Sequence, residues 1–240
     1  MEKIALVTGA NRGIGFEVVR QLAKKGITVL LGSRDLPKGL EAQKALEKEG
    51  LSVLVQPLEI RDPQSIRQLA DALQAKFGRL DILVNNAGAH YDYGVTPLAT
   101  DLNYFRQALE NNLLGAWATT QALMPLLRKS PSARVVNVSS GAGSYGDPSF
   151  GLGTMGGGVA SYGLSKLALN GLTVKLAAEL KDSKILVNAV CPGFTATYPG
   201  AKENGARPVE EGAASVVWAA LIPDDGPTGG FFRDGKAIPW

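Results

Sequence analysis

The 240-residue chain is long enough for one large domain or two small ones. Its 45% hydrophobic and 20% charged content is that of an ordinary soluble globular protein, and a net charge of +3 with basic residues scattered along the chain argues against nucleic acid as the main partner. One cysteine, Cys191, excludes an internal disulfide, and no apolar run reaches the ~18 residues of a membrane span. The start, MEKIALVTGANRG, goes straight into a strand–turn pattern without a signal-peptide layout, so the expectation is a cytoplasmic protein with no membrane partner.

Taken in chain order, short apolar runs alternate with longer helix-period segments. KIALVT is the first candidate strand; TVLLGS, LSVLVQ, LDILVN, ARVVNVS and ILVNAV follow. Each is apolar at nearly every position, the pattern of strands covered on both faces. The first strand runs into TGANRGIG at 8–15, where Gly9, Gly13 and Gly15 allow a tight turn and a bare backbone. A helix follows, with Ile14, Val18 and Leu22 on one stripe. Such a turn aims the free N–H groups of a helix start at an anion such as a pyrophosphate. Asp62 before Pro63 marks another helix start. Two segments resist regular structure: the glycine-rich 141–158, and 197–208, which reads as a short lid. The alternation, with no repeat, linker or compositional break, predicts an α/β fold. It is a single doubly wound Rossmann-type domain over residues 1–240, with a parallel sheet of about seven strands in the order 3-2-1-4-5-6-7 and helices on both faces.

In SYGLSK, Tyr162 and Lys166 stand four residues apart on a predicted helix and share a face. A free phenol, with a pKa of about 10, is a poor proton shuttle at neutral pH, and a neighbouring ammonium favours the phenolate. Leu164, Ala168, Leu172 and Leu176 form a separate apolar stripe, so the pair, in line with Asn170 and Thr173, is expected away from the main core face. The helix follows a strand ending in two serines, and strand ends are where open α/β sheets gather ligands.

TGANRGIG resembles the TGxxxGxG turn of the short-chain dehydrogenase/reductase family. The resemblance continues in order through NNAG (85–88), ENNLLG (110–115), NVSS (137–140), YGLSK (162–166) and CPGFTAT (191–197), over nearly the whole chain. The ending GGFFRDGKAIPW is similar to that of the carbonyl-reductase branch. The resemblance implies an NADP(H)-dependent oxidoreductase that reduces a ketone or aldehyde to an alcohol, or runs the reverse, by hydride transfer. Tyr162 would be its general acid/base. Lys166 would lower the tyrosine pKa and hydrogen-bond the nicotinamide ribose. Ser140 would hydrogen-bond the substrate oxygen, with Ser139 as the alternative. Asn112, or the adjacent Asn111, would hold a water in a proton relay behind the lysine.

By the same resemblance the cofactor lies against Gly9, Asn11, Arg12, Gly13, Ile14 and Gly15 of the first turn, and against Ser33 and Arg34 after the second strand. It continues past Glu59 and Ile60, then Asn86, Ala87 and Gly88, and ends on Tyr162, Lys166, Pro192, Gly193, Thr195 and Thr197. Ser33 is neutral where an acidic residue would bind both ribose hydroxyls, and Arg34 follows it. With Arg12 it would clamp a 2′-phosphate, which favours NADP(H) over NAD(H); Asp35 weighs the other way but lies past the expected position. Glu59 stands where family members commonly carry aspartate.

Around this set, loops at about 88–100, 141–158 and 194–208 are expected to shape a site for a small-molecule carbonyl or alcohol. Phe150, Met155, Trp117, Tyr198 and Trp240 are candidates for its apolar wall. His90, the only histidine, reads as surface or pocket wall and not as a metal ligand. The Ser140–Tyr162 separation is longer than in many members, and the extra chain would cover the site or an oligomer surface, which tilts toward a monomer. NVSS lacks the elbow of a serine hydrolase. A non-catalytic dinucleotide-binding sensor or scaffold would have lost the Ser–Tyr–Lys set, and all three are present. A sugar-nucleotide epimerase would need a larger C-terminal domain.

Overall fold

The computed structural model describes residues 2–240. Its six long apolar runs become parallel strands: β1 (Ile4–Val7), β2 (Thr28–Ser33), β3 (Val53–Pro57), β4 (Ile82–Asn85), β5 (Ala133–Val138) and β6 (Ile185–Val190). The helices between them are α1 (Gly13–Ala23), α2 (Leu36–Glu47), α3 (Pro63–Lys76), α4 (Leu102–Leu109), α5 (Gly115–Leu127) and α6 (Ala160–Glu179). After β6 come α7 (Val209–Ala220), β7 (Phe231–Arg233) and β8 (Lys236–Ala237). The strand order is β3-β2-β1-β4-β5-β6-β7-β8. The predicted order is thus present and gains an eighth, antiparallel strand. Its cause is local: Asp234 (φ 52°) and Gly235 (φ 74°) form a two-residue turn with both φ angles positive, the conformation an Asp-Gly hairpin favours.

Side chains alternate along the strands into two cores. Leu6, Leu30, Leu83, Val135 and Val187 pack with Leu69 and Leu73 of α3, Leu123 and Leu126 of α5, and Leu172 and Leu176 of α6. Val7, Val29, Leu31, Val84 and Val136 face the other way, onto Val18 and Leu22 of α1, Leu46 of α2 and Val216 of α7. Asp62 accepts from the Gln64 N–H ahead of α3, as its place before Pro63 predicts.

Helix α6 corrects one expectation. Leu164, assigned to an apolar inner stripe, is 41% exposed, whereas Lys166, Asn170 and Thr173 are 3%, 2% and 0% exposed. The polar side of the helix faces β5 because that strand offers partners. Lys166 Nζ donates to the Val138 carbonyl (2.8 Å), Ser139 Oγ to Asn170 Oδ1 (2.5 Å) and Asn137 Nδ2 to Thr173 Oγ1 (2.8 Å). The glycine-rich 141–158 segment is not wholly irregular: it holds short 3₁₀ turns at Gly141–Gly143 and Met155–Gly157. The chain end ties it down, since Tyr145 N donates to the Trp240 carbonyl (2.7 Å), Ser144 Oγ to Pro239 O (2.8 Å) and Arg233 to Asp147 (2.6 Å).

Candidate active site

Two connected hollows lie at the carboxyl ends of the strands. The first, a polar groove of about 250 Å³, is lined by Gly9, Asn11, Arg12, Gly13, Ile14 and Gly15 from the turn after β1. Arg34, Glu59, Ile60, Asn86, Ala87 and Gly88 complete it, with Asn111. Gly9 sits at φ +61°, and a Cβ there would stand 2.8 Å from the Ala87 Cα, so the position takes no side chain. Asn86 holds the turn in place by donating to the carbonyls of Thr8 (2.9 Å) and Gly9 (3.1 Å). Its amide is therefore spent on the protein, and the backbone after it forms the groove wall. Arg12 and Arg34 are exposed at the groove and make no ion pair among the described residues.

Two residues expected here are engaged elsewhere. Ser33 is fully buried and its hydroxyl donates to the Asp35 carbonyl at 2.8 Å, so it does not reach the groove surface. Asp35 caps α2 by accepting from Lys38 N. Glu59 lines the groove, but its carboxylate accepts from Arg61 Nε (3.2 Å), Nη2 (3.1 Å) and N (3.1 Å). Those bonds, foremost the side-chain one, hold it below the usual carboxylate range.

The second hollow, a cavity of about 380 Å³, shares Ile14, Tyr91 and Thr197 with the groove. Ser140 and Tyr162 face it, with Pro192, Gly193 and Thr195 behind and Tyr93, Phe150, Met155 and Tyr198 as an apolar wall. Of the other aromatic candidates, Trp240 instead stacks on Phe231 (5.4 Å) and Trp117 is exposed on α5. Thr195 Oγ1 donates to the carbonyls of Pro192 and Gly193 at 3.1 Å, which rigidifies the turn after β6. Between the two serines the structure discriminates. Ser139 is 1% exposed and bound to Asn170, whereas Ser140, which accepts from Ala142 N (3.2 Å), presents its hydroxyl toward Tyr162.

Asn112 lies in a π turn, Glu110–Leu114, that interrupts α4 and α5. Such turns mark sites where a helix needs one residue re-aimed. Its amide donates to Ala89 O and Ser165 Oγ (both 2.9 Å), and its oxygen accepts from Ala89 N (2.9 Å). A Cβ at Gly88 would stand 3.5 Å from Lys166 Nζ and 3.6 Å from Asn112 Oδ1, so the glycine keeps open the space between them. His90 is partly buried edge-on to Tyr104 (5.1 Å), and no metal-binding cluster exists among the described residues.

The electrostatics of the Tyr–Lys pair reverse one expectation. Lys166 Nζ lies 5.7 Å from the Tyr162 ring centroid, yet the phenol pKa is raised well above its ordinary value, chiefly by burial and next by Tyr91. Ser140 opposes the shift. Burial also drives the Lys166 pKa down to about 8. At any pH where the phenol would ionise, the lysine has already lost the charge that would assist it. Tyr91 belongs to the 88–100 loop expected to shape the site, but its contact with Tyr162 was not foreseen: the two rings lie 4.4 Å apart. Nor was the sulfur of Cys191 foreseen as part of the site: it is buried, lines the cavity and accepts from Gly141 N (3.2 Å) and Arg233 Nη2 (3.1 Å). Only its place at the head of CPGFTAT hinted at this.

The sequence model of short chain dehydrogenases matches residues 3–207. Carbonyl reductase [NADPH] 1 of Rattus norvegicus is 35% identical, over 99% of this chain and 98% of its own. A (+)-neomenthol dehydrogenase of Arabidopsis thaliana is 36% identical over 96% and 95%. Among solved structures, the NADPH-bound carbonyl reductase from chicken fatty liver superposes with a TM-score of 0.84 at 27% identity, covering 100% of this chain and 99% of that one. The sheet, the groove, the Ser140–Tyr162–Lys166 arrangement and these likenesses converge: the chain belongs to the short-chain dehydrogenase/reductase family, on its carbonyl-reductase-like branch.

Proposed function

We propose that the protein reduces a ketone or aldehyde to an alcohol with NADPH, or catalyses the reverse. One observation carries the reading. The Ser140 hydroxyl and the Tyr162 phenol face one apolar cavity where it joins a polar groove, with the Lys166 amine buried behind them. NADPH, when bound, supplies the hydride. The groove fits a dinucleotide: Gly9 and Gly88 admit a close approach, α1 starts at Gly13, and the exposed guanidinium groups of Arg12 and Arg34 suit a phosphate. The relatives' names, a carbonyl reductase [NADPH] among them, agree.

In this reading Tyr162 donates its proton to the carbonyl oxygen as negative charge grows there, and Ser140 donates a hydrogen bond to the same oxygen. The raised phenol pKa keeps Tyr162 protonated at neutral pH, the state an acid must start from. Lys166, with its pKa lowered by burial to about 8, resupplies the proton to Tyr162, and Asn112 orders the polar path behind it. Tyr93, Phe150, Met155 and Tyr198 exclude water and favour an apolar substrate body. The test is NADPH absorbance loss with a panel of cyclic ketones, aldehydes and quinones. Turnover is expected in the wild type and lost in Tyr162→Phe, with NADPH fluorescence titration near normal; full activity in that variant refutes the reading.

A further inference from the structure

We propose that Asp92 is the residue that positions the proton donor: from 70 residues upstream its carboxylate caps the helix that carries Tyr162. The inference rests on the reading of Tyr162 given above. Helix α6 begins behind Val159, a β-branched residue held in the left-handed region (φ 56°) that offers no side-chain cap. A helix start leaves backbone N–H groups without partners, and burying them unpaired is costly. The loop after β4 supplies partners for the first three N–H groups of the helix. Val95 O accepts from Ala160 N (3.2 Å), and the Asp92 carboxylate accepts from Ser161 N (2.7 Å) and Tyr162 N (3.1 Å). Asp92 is only 8% exposed, so water does not replace it, and its negative charge suits a helix N-terminus.

The same loop fixes the tyrosine at two more points. Tyr91, next to Asp92, lays its ring on that of Tyr162. Ala89 is bound through Asn112 to Ser165, one turn further along α6. The loop starts at Gly88 in the groove wall, so one stretch of chain connects the groove to the donor. Loss of the carboxylate frays the first turn of α6, and a donor displaced by ~1 Å loses on the order of 10²-fold in rate.

The experiment compares kcat, KM and NADPH affinity for wild type, Asp92→Asn, Asp92→Ala and Tyr162→Phe, using NADPH and a ketone the wild type reduces, well below each melting temperature. In Asp92→Ala, kcat should fall about 10- to 100-fold while NADPH affinity changes less than about twofold. Asp92→Asn should recover part of the loss, because its amide oxygen still accepts one N–H. An unimpaired kcat in Asp92→Ala overturns the proposal, as does an equal loss of kcat and NADPH affinity. Should Asp92→Ala not fold, Asp92→Asn decides: reduced kcat with intact NADPH binding supports the role, and unchanged kcat removes it. Full activity in Tyr162→Phe sinks the proton-donor reading itself, whereas an inactive Tyr162→Phe beside an unimpaired Asp92→Ala sinks only the positioning role.

Discussion

The polar groove and the apolar cavity meet at Ile14, Tyr91 and Thr197, yet they are made by opposite means. The groove rests on short local segments: a glycine turn, the two arginines beside it, and a backbone strip after β4. Its cations are exposed, so they act on a ligand through charge that water and salt attenuate. The cavity instead joins Tyr91, Ser140, Tyr162 and Tyr198, which come from four distant parts of the chain. At its inner end two groups are withdrawn from water: burial moves Tyr162 up and, behind it, Lys166 down to about 8. One region recognises with exposed charges; in the other, withdrawal from water keeps the phenol protonated and makes the amine easier to deprotonate.

The sharpest way to break this contrast is at the adjacent serines. Ser140→Ala should lower kcat by about 10²- to 10³-fold, the cost of losing a donor to a developing oxyanion. Ser139→Ala should leave kcat nearly intact. It should instead lower stability by about 1–3 kcal/mol, because Asn170 Oδ1 loses its buried donor. Steady-state kinetics and thermal melts on the two variants separate the outcomes, and a reversed pattern would mean that the wrong hydroxyl faces the substrate.

Next in size is the groove. Arg34→Ala should weaken NADPH binding by about 10- to 100-fold, the range of hydrogen bonds to a charged group, and NADH binding by no more than about threefold. Fluorescence titration at fixed ionic strength measures both. Equal losses would show that Arg34 does not read the 2′-phosphate.

The same division explains what could be read from the sequence. Six strands and the glycine turn were legible because apolar runs and glycine spacing are local signals, and the order of the sheet followed from the doubly wound topology. Tyr162 and Lys166 were legible as a pair because a helix fixes the relation of i to i+4. Their electrostatics were not, since they depend on the Val138 carbonyl that receives the lysine and on the depth of burial, neither of which spacing encodes. Nor was the inward turn of the polar side of α6, because Lys166, Asn170 and Thr173 find their partners on β5 and at Ser139 just past its end. Ser33 looked like a ribose contact by position, but its hydroxyl is satisfied two residues on by Asp35 O. Asp92 lies in the 88–100 loop expected at the site, but nothing marked it as a cap: one 70 residues away in sequence has no motif.

Burial of Lys166 has a consequence for stability that the exposed arginines lack. With a folded pKa of about 8 against about 10.4 in an unfolded chain, the unfolded state binds a proton between those values that the folded state does not. Stability therefore rises with pH across that window, by about 2 kcal/mol between pH 8 and pH 10. Tyr162, raised in the folded state, adds nothing until unfolded tyrosines ionise near pH 10 and then acts in the opposite direction only in the sense of favouring unfolding. Denaturant melts without added nucleotide at pH 8, 9 and 10, on wild type and Lys166→Met, isolate the effect as a difference. A difference that does not change with pH would mean that the amine stays charged in the folded protein.

The smallest expected effect lies at Glu59. A carboxylate bonded to the adenine amino group would make its loss cost NADPH affinity about tenfold. The three bonds from Arg61 argue for a different part: Glu59 neutralises a guanidinium and leaves little acceptor capacity for the nucleotide. Arg61 and Glu59 side chains are 40% and 29% exposed, so the pair contributes under about 1 kcal/mol to stability. Glu59→Gln should therefore change NADPH affinity by less than about threefold, with any shift toward tighter binding, because a freed Arg61 adds positive potential to the groove. Titration at low and high salt checks the sign: tightening that fades with salt belongs to Arg61, whereas a tenfold, salt-independent loss would return the adenine contact to Glu59 and make the groove less purely a matter of exposed charge.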